Sequence, residues 1–225
     1  MKSVLMSIQP KWCELIASGK KTVEVRKTRP KLETPFNVYI YCTQTKTMGD
    51  FILCKSVENV KLFGFNTAKG VNKGFAEKED IQLKGKVIGE FVCDCIANYE
   101  AELWDDEAFE RIQEFFEPDD FAEYGEYEYK TIADNGDDFW KENMLCQASC
   151  LTIEELRKYV GCGIATFYGW QISDLVIYEK PKELSEFRSY NVRTYLENGY
   201  PMPTHEIKRP PQSWCYVEKG GASDE

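Results

Sequence analysis

A chain of 225 residues, 43% of them hydrophobic, can bury a sizeable core, and its length fits one domain with an elaboration or two small domains. Nine cysteines without a C-x-x-C pair and a single histidine exclude a disulfide framework or a zinc ribbon. The net charge of −10 is unevenly placed: residues 100–142 hold seventeen Asp or Glu against three Lys or Arg, which leaves +4 for the remainder and argues against a long phosphate-tracking groove.

The chain starts with a short apolar run, VLMSI, and then breaks at Gln9-Pro10-Lys11 before a signal sequence can develop. No apolar run reaches the roughly 18 residues that a membrane span needs, so a cytoplasmic location is expected. In QPKWCELIASGKK, Trp12, Leu15 and Ile16 fall at helical spacing, proline sits in the first turn and Gly19 stands where a helix-closing glycine belongs. The spacing predicts a short helix ending at Gly19. The next segment, TVEVRKT, alternates, with Val23 and Val25 on one face and Thr22, Glu24 and Arg26 on the other, so that a carboxylate and a guanidinium stand side by side. Around Glu24 cluster Lys20, Lys21, Arg26, Lys27 and Arg29, and the first thirty-one residues hold eight Lys or Arg against two Glu.

FNVYIYCT and GKVIGEFVCDCIANYE read as strands, the second long enough to bend at Gly89, with DFILCKS as a further strand between them and GFNTAKGVNKGFAEKED as a polar loop. Residues 100–143 form an acidic segment too rich in aromatics for a disordered stretch, and ELWDDEAFERIQEFF has helical periodicity; a folded, mainly helical insertion is expected there. LTIEELRKYV opens on a capping box, Thr152 with Glu155, and closes at Gly161. ATFYGWQISDLVIYEKPKEL reads as a strand pair turning at Ser173-Asp174, with Pro181 halting the second strand. Two prolines in HEIKRPPQSWCYVE lead into a last strand, and residues 218–225 read as a disordered tail. The spacing of Cys146, Cys150 and Cys162 allows a thiolate site, but buried reduced cysteines are the reading adopted, and neither metal nor cofactor is expected.

Gly19-Lys20-Lys21-Thr22-Val23-Glu24-Val25-Arg26 matches a G-x-K-x-x-E-x-R pattern, and with the order of segments around it the chain resembles an ASCH domain, of the PUA-like superfamily, from Ser3 to about Val217. The acidic insertion has no counterpart in the ordinary family pattern. The resemblance implies an α+β fold: a single domain over residues 1–217, built on a small β-barrel of five to six strands with flanking helices. It also implies binding of RNA or of a modified nucleoside, and a small branch of the family hydrolyses acetylcytidine. That branch uses a lysine in the signature, a threonine three residues later and a glutamate further along. Lys21 matches the lysine, whereas Glu24 stands in the threonine's place and CQASC, ahead of the capping box, offers no glutamate.

The residues themselves point to a cationic cleft. Glu24 between cations is a fixed acceptor, suited to the exocyclic amine of a base, and a bidentate arginine such as Arg26 suits a phosphate or a guanine edge. Lys20, Lys27 and Arg29 attract a nucleic-acid backbone without reading sequence. The alternative for Glu24 and Arg26 is a structural ion pair tying helix to strand. Tyr39 and Tyr41 share a strand face and read as core; Trp214, close to Arg209, is the aromatic singled out for ligand contact, with Arg209 beside it. His205 reads as a surface residue. The ligand set is therefore Lys20, Lys21, Glu24, Arg26, Lys27, Arg209 and Trp214, with Lys21 the catalytic candidate if the chain is an enzyme, a question left open. The alternatives are a small hydrolase acting on an acylated nucleoside or RNA, in which a desolvated Lys21 activates the attacking group, and a protein-interaction module using residues 100–143.

Overall fold

In a computed structural model, residues 2–44, 51–56, 59–64, 83–103, 110–116, 128–134, 144–190 and 204–218 are described. The chain divides into two compact units. One comprises Met1–Gly19, Pro35–Val92 and Ser173–Glu225; the other comprises Lys20–Thr34 and Cys93–Ile172.

The first unit follows from its two most apolar runs. β1 (Lys2–Ile8) pairs in parallel with β3 (Phe36–Cys42) and antiparallel with β14 (Trp214–Glu218). Alternation sends Leu5, Tyr39 and Val217 to a cluster completed by Tyr41, Val87, Phe187 and Ile207, while Val4, Met6, Val38 and Ile40 are fully buried on the opposite face. A sheet buried on both faces needs unbroken apolar runs, which is what VLMSI and VYIYC are. Tyr39 and Tyr41 are core, as their spacing implied, and the Tyr39 ring meets Phe187 edge-on at 4.9 Å. The full sheet has seven strands, ordered β11 (Ser173–Lys182), β6 (Val87–Cys93), β3, β1, β14, β12 (Arg188–Ser189) and β13 (His205–Glu206). β4 (Phe51–Ser56) and β5 (Asn59–Gly64) form a separate pair. Helix α1 (Pro10–Ala17) has proline at its start, buries Cys13 and Ile16, and ends where Gly19 takes a φ of +72° and its N–H reaches the Ile16 carbonyl at 2.9 Å. Gly89 in β6 is required by contact: a Cβ there would lie 2.4 Å from the Val176 carbonyl oxygen of β11.

The second unit is a five-stranded antiparallel sheet, ordered β2 (Val23–Arg26), β10 (Gly163–Gln171), β7 (Ile96–Leu103), β8 (Glu110–Phe116) and β9 (Glu128–Asp134). Its apolar face carries Val25, Phe167, Tyr99, Ala101 and Ile112. Leu145 of α2 (Met144–Ser149) and Leu156 of α3 (Ile153–Val160) pack on that face. The capping box forms as expected: Glu155 N–H donates to Thr152 Oγ1 and Thr152 N–H to Glu155 Oε2, both at 3.1 Å.

Three expectations are corrected. The described strands close no barrel; they lie in separate sheets. The run from Val87 to Leu103 breaks at Asp94-Cys95 and the run from Gly163 to Lys182 breaks at Ile172, and each delivers one half to the seven-stranded sheet and the other to the five-stranded sheet. For the same reason β10 and β11 are consecutive but belong to different sheets, and Pro181 lies within β11, where the ladder to β6 is irregular between Ile177 and Lys182. Finally, ERIQEFF is strand β8 and not helix. Its apolar Ile112 satisfies period two as well as period 3.6, and pairing with β7, which buries Ile112 completely, decides between them. The rest of the acidic segment falls outside the described residues apart from β9 and the flanking ends, as do most of the expected polar loop before β6 and the tail beyond Glu218.

Candidate functional site

The order in which TVEVR pairs fixes the site. Arg26 lies across from Tyr168 and Glu24 across from Trp170, so both charged side chains share a sheet face with these aromatics, opposite the apolar face of Val25 and Phe167. Yet both are buried: Lys21 is 2% exposed, Glu24 4% and Arg26 8%. The three form one cluster. Glu24 Oε1 meets an Arg26 terminal nitrogen at 3.1 Å and Glu24 Oε2 meets Lys21 Nζ at 3.4 Å, while Lys21 Nζ donates to the Ser149 carbonyl at 2.5 Å. Two cations flank one carboxylate. Glu24 Oε2 accepts no hydrogen bond although it is buried.

Helix α2 builds the other wall of this cluster. Its last carbonyls face the strand: Ala148 accepts from Thr22 N–H at 2.8 Å and Ser149 accepts from Lys21. Cys150 then adopts a φ of +54°, turning the chain, and its Sγ–H donates to the Lys20 carbonyl at 3.4 Å. Carbonyls at a helix end favour a cation, so the backbone itself anchors Lys21. On the same helix, burial pushes the Cys146 thiol above its ordinary pKa, which suits a packed thiol and not a thiolate ligand.

Lys20 and Lys27 differ from Lys21 in being exposed, and Lys27 Nζ stands 5.5 Å from the Tyr159 ring of α3. Arg29 lies over the Tyr168 ring at 5.9 Å and donates to Asn98 Oδ1 at 3.2 Å. Arg209 and Trp214 belong to the first unit. Arg209 is exposed; Trp214 is half-buried and meets Tyr216 edge-on at 5.2 Å, and Tyr216 in turn stacks on Tyr190 at 5.7 Å. His205 is exposed.

Sequence reading did not find the Ser149 carbonyl, Asn98 or Tyr168. A backbone acceptor leaves no mark in residue identity, and Asn98 and Tyr168 emerge only once the β2-β10-β7 register is known. Among the described residues no cluster of three or more His, Cys, Asp or Glu is placed to hold a metal ion, and no helix is long and apolar enough to cross a membrane.

No curated protein matches the chain. Solved structures similar to it include the crystal structure of ASCH from Zymomonas mobilis, at 16% identity and a TM-score of 0.41, covering 96% of this chain and 88% of that one. A mutant of that Zymomonas mobilis protein is likewise similar, at 16% identity and a TM-score of 0.41, covering 98% and 93%. The family comparison falls on the segment that carries the Lys21, Glu24 and Arg26 cluster together with β3 and β6: residues 6–92 match the family model of the ASCH domain.

Proposed function

We propose that this chain binds RNA or a modified nucleoside through the cationic segment Lys20–Lys27, with Glu24 as the acceptor that reads an exocyclic amine. The observation that carries this reading is the Glu24 carboxylate: one oxygen pairs with Arg26, while the other is buried, faces an ammonium and accepts no hydrogen bond. The Lys21 ammonium at 3.4 Å balances the charge on that oxygen without donating a hydrogen bond to it, so its lone pairs are available to a ligand N–H that reaches it. Arg26 and Lys21 hold the carboxylate in place, and exposed Lys20 and Lys27 supply attraction at the rim. The ASCH match over residues 6–92 supports the same reading, since the family resemblance implies RNA or nucleoside ligands.

A hydrolytic reading with Lys21 as the activated amine has less support, because Lys21 Nζ is held by both the Ser149 carbonyl and Glu24. The test is a thermal-shift panel of nucleosides, nucleotides and short RNA strands on the wild type and on Glu24→Gln, with Arg26→Lys as a second variant. A ligand that binds the folded state raises its melting temperature by mass action. The expected result is a shift with one base type that disappears in Glu24→Gln. No shift with any ligand sinks the proposal, and loss of an acyl group from an acylated nucleoside would move the chain to the hydrolase class.

A further inference from the structure

The aromatic side chains of β14 belong to neither the cationic cluster nor its unit. Alternation places Cys215 and Val217 in the apolar cluster of the seven-stranded sheet and turns Trp214 and Tyr216 to the other face. On the neighbouring strand β1 their partners Met6 and Val4 are fully buried, and on the far side, just after β12, Tyr190 is 7% exposed. Between them Trp214 and Tyr216 are half-buried. Exposure therefore rises at β14 and falls again on either side of it, a pattern that fits a recess floored by the two rings.

The rings form a corner. Tyr190 stacks on Tyr216 at 5.7 Å with 25° between their planes, whereas Trp214 stands nearly perpendicular to Tyr216, at 5.2 Å and 84°. Backbone contacts hold the corner in place: Tyr190 N–H donates to the Tyr216 carbonyl at 3.2 Å, Ser7 N–H to the Ser213 carbonyl at 2.9 Å and Ser7 Oγ–H to the Pro211 carbonyl at 2.6 Å. Beside it the Tyr190 hydroxyl oxygen is buried and has no hydrogen-bond partner. Burial pushes this phenol up to about 12, so at neutral pH it keeps its proton and can both donate and accept. Buried hydroxyls are nearly always paired, and one that is not points to a partner from outside the chain.

We propose that Trp214 and Tyr190 form a second base-binding site, in which a nucleobase ring lies against the Trp214 indole and its polar edge meets the Tyr190 hydroxyl. Aromatic side chains stack bases of every kind, and a hydroxyl that donates and accepts can pair with the ring nitrogens, carbonyls or amines of any of them. The charges alongside suit a neutral ring and not a phosphate, because exposed Glu218 and Arg188 stand opposite each other across β14 and β12 and cancel. The site uses no residue of the Glu24 cluster, so it goes beyond the base reading assigned there and does not depend on it.

The test titrates adenosine, guanosine, cytidine and uridine, each alone, into the wild type, Trp214→Phe, Tyr190→Phe and Glu24→Gln, reading tryptophan fluorescence, with circular dichroism to establish folding. The proposal expects saturable quenching that is lost in Trp214→Phe and kept in Glu24→Gln. Tyr190→Phe should keep the quenching but weaken the affinity about fivefold. Its melting temperature should not fall, since the hydroxyl it removes makes no hydrogen bond. A purely structural tyrosine would give the reverse, a lower melting temperature with unchanged affinity, and that result would overturn the inference. So would the absence of quenching by all four nucleosides, or quenching that survives Trp214→Phe. Quenching lost in Glu24→Gln would overturn it too and assign the signal to the Glu24 cluster.

Discussion

Lys20 and Lys21 are adjacent, chemically identical and placed in opposite environments, one exposed and the other 2% exposed against a carboxylate and a carbonyl. Lys21→Met leaves the buried Ser149 carbonyl without its donor and takes one of two cations from Glu24, so it should lower stability by on the order of 1–3 kcal/mol. Lys20→Met should stay within about 0.5 kcal/mol of wild type, as most surface substitutions do. Urea denaturation of both variants measures the contrast, and equal midpoints would contradict the burial of Lys21. The pairing of Glu24 with Arg26 was legible in the sequence, because alternation alone puts positions 24 and 26 on one face. Which of the two lysines turns inward was not, because the choice depends on a backbone carbonyl contributed more than a hundred residues away.

At the scale of elements, local chemistry was legible wherever it sufficed. The α1 stop at Gly19 and the α3 capping box follow from a few adjacent residues, and Thr152→Ala should cost about 1 kcal/mol of stability in thermal or urea unfolding. Strand β8 shows where local reading fails: a seven-residue segment with one buried aliphatic satisfies two periods, and only its neighbour β7 selects the strand. Closure into a barrel was likewise a matter of which strands meet, and the breaks at Asp94-Cys95 and Ile172 redirect two long runs whose composition is continuous. Gly89, where a bend is expected from the sequence, lies inside the continuous strand β6, and the need for glycine there is one of packing. Gly89→Ala would drive a methyl group into the Val176 carbonyl, so a loss of about 1–3 kcal/mol is expected, read from the denaturation midpoint. An unchanged midpoint would mean that β11 does not lie against β6 as described.

Across the whole molecule, buried phenols and thiols govern the response to alkali. Burial pushes Tyr39, Tyr99 and Tyr190 up to about 12 from an ordinary value of 10.0. It pushes Cys93 up to about 12 and Cys215 up to about 11 from 9.0. These groups stay protonated in the folded chain at pH values where the unfolded chain has released its protons, so their contribution is complete below about pH 9 and is lost as pH rises towards 12. Urea midpoints at pH 8, 9.5 and 11 should fall in that order, and a flat profile would rule the argument out. The division into two units carries a further consequence, for the order of assembly during synthesis. The unit formed by Lys20–Thr34 and Cys93–Ile172 is complete once residue 172 has been made, whereas four strands of the seven-stranded sheet, β11 to β14, are still to come. Until they arrive, β1 lacks β14 and β6 lacks β11, and a chain stalled at that point offers two bare backbone edges to any strand it meets.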